Sequence, residues 1–149
     1  EFGEEYWLPG SGPGRVEPRP LRWSAHSTDF TGTRLYDVYR KLIAIRKAHP
    51  ALRSPNFFPY PGNHPDGYGV FPGQGVAVYH RWGGGADGQL ERFLIVVNYS
   101  DFDRFIDIPF STNGRWEELL SGESAQVRNF RLPGQRISSN WGRIYRQGA

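Results

Sequence analysis

The chain has 149 residues, enough for one ordinary domain with a hydrophobic core but too few for a complete α/β barrel, which takes roughly 200 or more. Hydrophobic residues make up 38% and charged residues 22%, while 19 glycines and 12 prolines point to many turns and hence to β structure. The net charge of +3 comes from 18 basic against 15 acidic residues, with the arginines spread out rather than gathered, which weighs against a polyanion-binding face. The absence of cysteine excludes disulfides, thiolate metal ligands and cysteine nucleophiles. The longest apolar run, Phe93 to Val97, is far short of the ~20 residues of a membrane helix, so a soluble chain is expected, the cytoplasm being favoured. The first residues, Glu1-Phe2-Gly3-Glu4-Glu5, have neither the basic start nor the apolar stretch of a signal peptide and read as the interior of a longer protein.

Residues 1 to 32 are rich in turn formers, notably Pro9-Gly10-Ser11-Gly12-Pro13-Gly14 and Pro18-Arg19-Pro20, and read as a long surface excursion with little regular structure. From Thr33, a plausible N-cap, Leu35, Val38, Tyr39, Leu42, Ile45 and His49 recur at spacings of three and four, the pattern of one apolar helix face. Asp37 and Lys41 form an i,i+4 acid-to-base pair, and Arg46, Lys47 and His49 suit the negative end of the helix dipole. Pro50 disfavours helical geometry at the residue before it, so the helix is expected to end near Ala48. Residues 54 to 68 are dense in proline and glycine. Strand signals then follow over Gly75 to Trp82, Gln89 to Ser100, Arg104 to Pro109, Arg115 to Leu120, Gln126 to Leu132, Arg136 to Ser138 and Gly142 to Arg146. The apolar run Phe93 to Val97 suits a central strand covered on both faces. Short strands without intervening helices predict a mainly β protein, an antiparallel Greek-key β-sandwich preceded by one α-helix and an irregular N-terminal segment.

Each motif that spells out chemistry has a plainer reading. Gly83-x-Gly85-x-x-Gly88 matches a dinucleotide fingerprint, but a strand rather than a phosphate-holding helix follows it. Asp101-Phe102-Asp103 opens like a calcium loop, yet Phe105 stands at the fifth position and no glycine at the sixth, so a turn is expected. Asn98-Tyr99-Ser100 spells a glycosylation sequon at the end of the most apolar strand, where a structural role fits better. No two of the four histidines are four residues apart, and no Gly-x-Ser-x-Gly elbow is present, so neither a metal, a cofactor nor a nucleophilic serine is expected. The adjacent pairs Glu4/Glu5 and Glu117/Glu118 do not by spacing predict two carboxyls facing each other across a scissile bond, and Glu117 and Glu118 read as a solvated charged face. Trp82, Trp116 and Trp141 could stack on sugars or bases, though core and interface anchors are the commoner use of such residues.

Three stretches together resemble the α-amylase superfamily, glycoside hydrolase family 13. Glu1-Phe2-Gly3-Glu4 is similar to the segment after the eighth barrel strand; Leu42-Ile43-Ala44-Ile45-Arg46-Lys47-Ala48-His49-Pro50-Ala51-Leu52-Arg53 resembles the eighth barrel helix and the His-Pro-Ala-Leu-Arg leading out of it; Phe93-Leu94-Ile95-Val96-Val97-Asn98-Tyr99-Ser100 resembles a strand of the C-terminal antiparallel domain. The resemblance implies a remnant of the (β/α)8 barrel over residues 1–54 and an amylase-type C-terminal β domain over 55–149. It places the nucleophilic Asp, general-acid Glu and second Asp of the retaining mechanism upstream of residue 1, so no catalytic residue is expected in this chain. Phe2, Glu4, Tyr6 and Trp7 would border the substrate cleft of the complete barrel, since barrel sites are built from the loops after the strands. The leading expectation is therefore a non-catalytic C-terminal part of an amylase-type hydrolase acting on α-glucans, shielding and stabilising the barrel. The alternatives are a carbohydrate-binding module, motivated by the aromatic content, and a single-stranded nucleic-acid binder, suggested only by the isoelectric point near 9.4 and the aromatics. The expected partners are the barrel of the same polypeptide, an α-glucan and, through the apolar helix face, a second chain; nucleic acid and membrane are not expected.

Overall fold

The computed structural model describes residues 10–16, 23, 25–28, 30–59 and 62–148. They divide into two compact units, with the boundary between Ile45 and Arg46. The first holds a 3-10 turn at Pro13–Val16, a helical turn α1 (Ala25–Thr28) and most of helix α2 (Phe30–Ala48). The helix ends at Ala48 as the proline after His49 predicts, but it begins at Phe30, so Thr33 is an interior position and not the N-cap. Arg34 lies over the Phe30 ring at 4.4 Å, a cation–π contact within the first turn. Asp37 meets Arg40, 3.5 Å away, one position nearer than the Lys41 expected from spacing. Of the apolar face, Leu35, Val38 and Ile45 are half-buried, whereas Tyr39 and Leu42 are exposed, as is Ile43 beside them.

The second unit is an antiparallel β-sandwich. A 3-10 turn at Pro50–Arg53 leads into β1 (Phe57–Phe58), β2 (Gly69–Phe71), β3 (Val76–Gly84), β4 (Leu90–Asn98), β5 (Arg104–Pro109), β6 (Gly114–Glu118), β7 (Ser124–Val127), β8 (Arg131–Ile137) and β9 (Trp141–Gln147). The larger sheet runs β1-β3-β4-β9-β6-β7, with β2 also on the edge of β3; β5 and β8 form the second sheet. The chain crosses to the small sheet for β5, back for β6 and β7, out again for β8 and home for β9, so the non-consecutive β4 and β9 are hydrogen-bonded neighbours, as a Greek-key order requires.

Alternation along the strands sets the core. Val76 and Val78 from β3, Leu94 and Val96 from β4, Trp116 from β6 and Tyr145 from β9 face the second sheet, where Ile108 and Ile137 close over them. On the opposite face of β4, Phe93 and Ile95 are also buried, so the run is covered on both sides as its continuity implies. Three sequence expectations change: Arg136 to Ser138 is not a strand of its own, because Arg136 and Ile137 are the end of β8. The segment Gln126 to Leu132 is not one strand: it contains the end of β7, a two-residue turn at Asn129-Phe130 and the start of β8. The stretch before Gly69, dense in proline and glycine, nevertheless carries β1, because Phe57 and Phe58 find partners at Arg81 and His80 on the edge of β3, where proline is tolerated.

Candidate functional site

The four substrate-adjacent residues expected from the resemblance, Phe2, Glu4, Tyr6 and Trp7, lie outside the described residues. What the structure does bring together is a polar junction on the outer face of the large sheet, wholly within residues 46–148. The last turn of α2 leaves main-chain carbonyls without helical partners. Arg53 supplies them: its Nη1 donates to the carbonyls of Arg46 and Lys47, and Arg46 in turn donates to the Leu52 carbonyl at 3.4 Å. His49, extended at φ −117°, turns its ring onto Phe93 of β4, the centroids 5.3 Å apart. Ala51 and Leu52 are buried beside it.

Beneath this segment sits Glu91, 4% exposed. Its Oε1 lies 2.9 Å from His49 Nδ1 and accepts the Arg146 Nε–H at 2.7 Å, while its buried Oε2 has no hydrogen-bond partner among the described residues. Arg146 also approaches Glu117 on β6 at 4.0 Å and lines an open polar groove of about 340 Å³ with Arg115, Glu117 and Ser124. A buried carboxylate is tolerable only when paired and hydrogen-bonded, and Arg146 and His49 do that for Glu91. A second layer fixes the exit segment: Ser54 Oγ and Asn56 Nδ2 both donate to the Trp82 carbonyl, at 2.6 and 3.1 Å, and Arg81 donates to the Ser54 carbonyl at 2.7 Å.

The glycine cluster belongs to this junction. A Cβ on Gly85 would come within 2.9 Å of Glu91 Cγ and Cδ, and one on Gly83 would stand 3.0 Å from Ser54 Cβ and 3.3 Å from Ala51 Cα. The spacing that spells a nucleotide fingerprint thus serves close packing at the end of a hairpin, whose turn is closed by Gly85 N–H to Gln89 O at 2.7 Å. Chemically the site is a strut. Glu91, 4% exposed, is enclosed by His49 and Arg146, whereas glycoside cleavage uses carboxyls open to substrate.

Trp116 is a core residue, Trp82 is partly buried and stacks on His80 at 4.8 Å, and Trp141 is exposed. Phe58 completes an aromatic cluster with His64, Tyr68 and His80, each centroid 5.2–5.3 Å from its own. Burial, and then the nearby Arg92, lower the His80 pKa; burial, reinforced by Asp66, pushes the Tyr68 phenol up to about 12. Asp101 and Asp103 stand in a turn: Asp103 accepts from Ser139 N at 3.0 Å and Arg136 Nε at 2.7 Å, and these bonds hold its carboxyl below the usual range. Asn98 is 1% exposed and its Nδ2 donates to the carbonyls of Phe102, Ile137 and Ser138, so it is a structural brace.

Glu118 corrects the sequence reading: it is buried rather than on a solvated face. Burial alone would raise its pKa, but hydrogen bonds from Ser121, Ile144 and Leu120 outweigh that and hold it low. Among the described residues no three His, Asp or Glu side chains gather as a metal site, and no helix is long and apolar enough to cross a membrane.

No family model matches the chain. In sequence it is 29% identical over 103 residues to Alpha-amylase 2 of Dictyoglomus thermophilum, a match covering 69% of this chain and 14% of that relative's length. Among solved structures, a putative alpha-galactosidase from Bacteroides fragilis aligns over 48% of this chain and 16% of that one, at 10% identity and a TM-score of 0.34. The chain is similar in sequence to part of a glycosidase, and it folds as a β-sandwich preceded by a helix.

Proposed function

We propose that this chain is the non-catalytic C-terminal part of an α-amylase-type glycoside hydrolase, in which the sandwich anchors the helix leading out of the catalytic barrel. The observation that carries this reading is the junction itself: the exit residues His49 to Ser54 are fixed to three strands of the sandwich through Glu91, Arg146, Trp82 and Arg81. The sequence similarity to an alpha-amylase supports the same assignment. Glu91 and Glu118, the two buried carboxylates among the described residues, both bond within the fold, which supports a scaffolding role. Residues 1–54 are then the barrel remnant, residues 55–149 the C-terminal domain, and the barrel of the same polypeptide the partner. In the complete enzyme two upstream carboxyls would carry out retaining cleavage of α-glucosidic bonds.

The test compares this chain with the polypeptide encoded by its complete reading frame, using soluble starch as substrate. The complete polypeptide is expected to release reducing sugar and this chain none. A complete frame without an upstream Asp, Glu and Asp on barrel strands, or starch cleavage by this chain alone, would overturn the reading.

A further inference from the structure

The turn joining β7 to β8 has two central residues, Asn129 at φ 50° and Phe130 at φ 56°, flanked by the Arg128–Arg131 bridge with Arg131 N–H to Arg128 O at 3.1 Å. Positive φ at both central positions is the requirement of a type I′ hairpin turn, whose strong preference is Asn-Gly. Asparagine meets it; a bulky aromatic in the left-handed region is an outlier that glycine would relieve. The strain is not offset by burial, because the Phe130 side chain is 56% exposed. It persists because the backbone is held from outside the turn: Phe130 N–H donates to Asn113 Oδ1 at 2.6 Å, its carbonyl accepts Phe110 N–H at 2.9 Å, and the Asn113 carbonyl is tied to Gln147 Nε2 at 3.1 Å. Four hydrogen bonds thus hold a largely exposed aromatic ring on a left-handed backbone.

We propose that this turn is a preformed contact site for a neutral α-glucan chain. The Phe130 ring stacks on a pyranose face, and the polar groups of Arg128 and Asn129 beside it hydrogen-bond sugar hydroxyls. The sugar class rests on the function proposed above; the site itself rests on the strained, braced and exposed turn. The local charge favours a neutral ligand over a polyanion. Asp107 lies 3.8 Å from Arg131, so the turn has one cation in excess and not the gathered positive charge that a polyanion requires. A rigid aromatic with little side-chain entropy to lose is also the economical anchor for a weak, flat ligand.

Three forms of this chain test the idea: the parent, Phe130→Gly and Phe130→Tyr, each run through gels with and without soluble starch and melted by circular dichroism. Phe130→Gly is expected to raise the melting temperature by about 2–5 °C and to lose at least ten-fold in starch retardation. Phe130→Tyr keeps the ring on the same strained backbone and is expected to retain both parent values. Retardation unchanged in Phe130→Gly, no retardation of the parent, or a salt-sensitive shift with heparin in place of starch would each overturn the inference. Starch cleavage by the complete polypeptide alongside an unretarded parent chain would remove the glucan site and leave the function proposed above intact.

Discussion

On the inner face of β4, Leu94 and Val96 are sealed by Trp116, Tyr145, Ile108 and Ile137, side chains whose main qualification is apolar volume. On its outer face, Phe93 is covered by His49 and the buried turn after it, and the neighbouring Glu91 is held by an imidazole and a guanidinium. The inner face obeys a composition rule that many sequences satisfy, since volume-conserving swaps cost little there. The outer face obeys an identity rule: His49, Gly85, Glu91 and Arg146 each have a partner that another residue type would not serve. A sandwich needs only the first kind of face to fold; the second kind ties it to a specific neighbouring segment.

The larger effect is expected at the inner face. Trp116→Ala removes the largest fully buried side chain and should cost about 3–5 kcal/mol in urea unfolding; a loss under about 1 kcal/mol would mean that this face is not the core. At the outer face, Glu91→Ala strands Arg146 and His49 beside a void. The cost should be about 2–3 kcal/mol, below the fully buried limit because the Arg146 side chain is 32% exposed. A double-mutant cycle with His49→Ala sharpens it, since additive losses would deny that the two act as one unit. Gly85→Ala should cost about 1–2 kcal/mol by driving a methyl into the pinned Glu91 side chain, whereas in the Glu91→Ala background the same change should be nearly free.

Acid should separate the aromatic cluster from the turns by smaller effects. The His80 pKa is lowered on folding, so its stabilising contribution is present above 6.5, the ordinary histidine value, and declines as pH falls below that. Glu118 and Asp103 are also lowered, from 4.5 and 3.8, so their contributions hold above those values and are lost only at still lower pH. Unfolding free energy followed from pH 7 to 3 should therefore decline in two stages, and His80→Gln should remove the first while leaving the second.

Periodicity made much of this legible. The helix end at Ala48, the central strand around Phe93 to Val97 and the turn at Asp101-Phe102-Asp103 follow from local rules about proline, apolar runs and turn formers. Glu91 did not announce itself, because its partners are 42 and 55 residues away and no local pattern encodes such a pair. One signal was available: Glu91 has the same strand parity as Phe93 and Ile95, so a strand covered on both faces buries it and demands a counter-charge. Glu118 departs from the solvated-face expectation for a related reason. Its strand parity with Trp116 sets it apart from the exposed Glu117, but the Ser121 and Ile144 amides that make burial of its charge tolerable are brought together only by tertiary structure. Thr33 shows the limit at helix starts, where three further residues, Phe30 to Gly32, extend the helix past a locally attractive cap.

The position of β9 bears on how the sandwich is made. Residues 141 to 147 emerge from the ribosome after β1 to β8, yet they take the place between β4 and β6 in the middle of the large sheet. Until then β1 to β4 and β6 to β7 are two separate ribbons, and β4 presents its apolar strand with one edge unpaired. The large sheet therefore cannot reach its native order until residues 141 to 147 are available. A nascent chain stopped before residue 141 would leave the apolar β4 edge without its β9 partner and exposed to pairing with other chains.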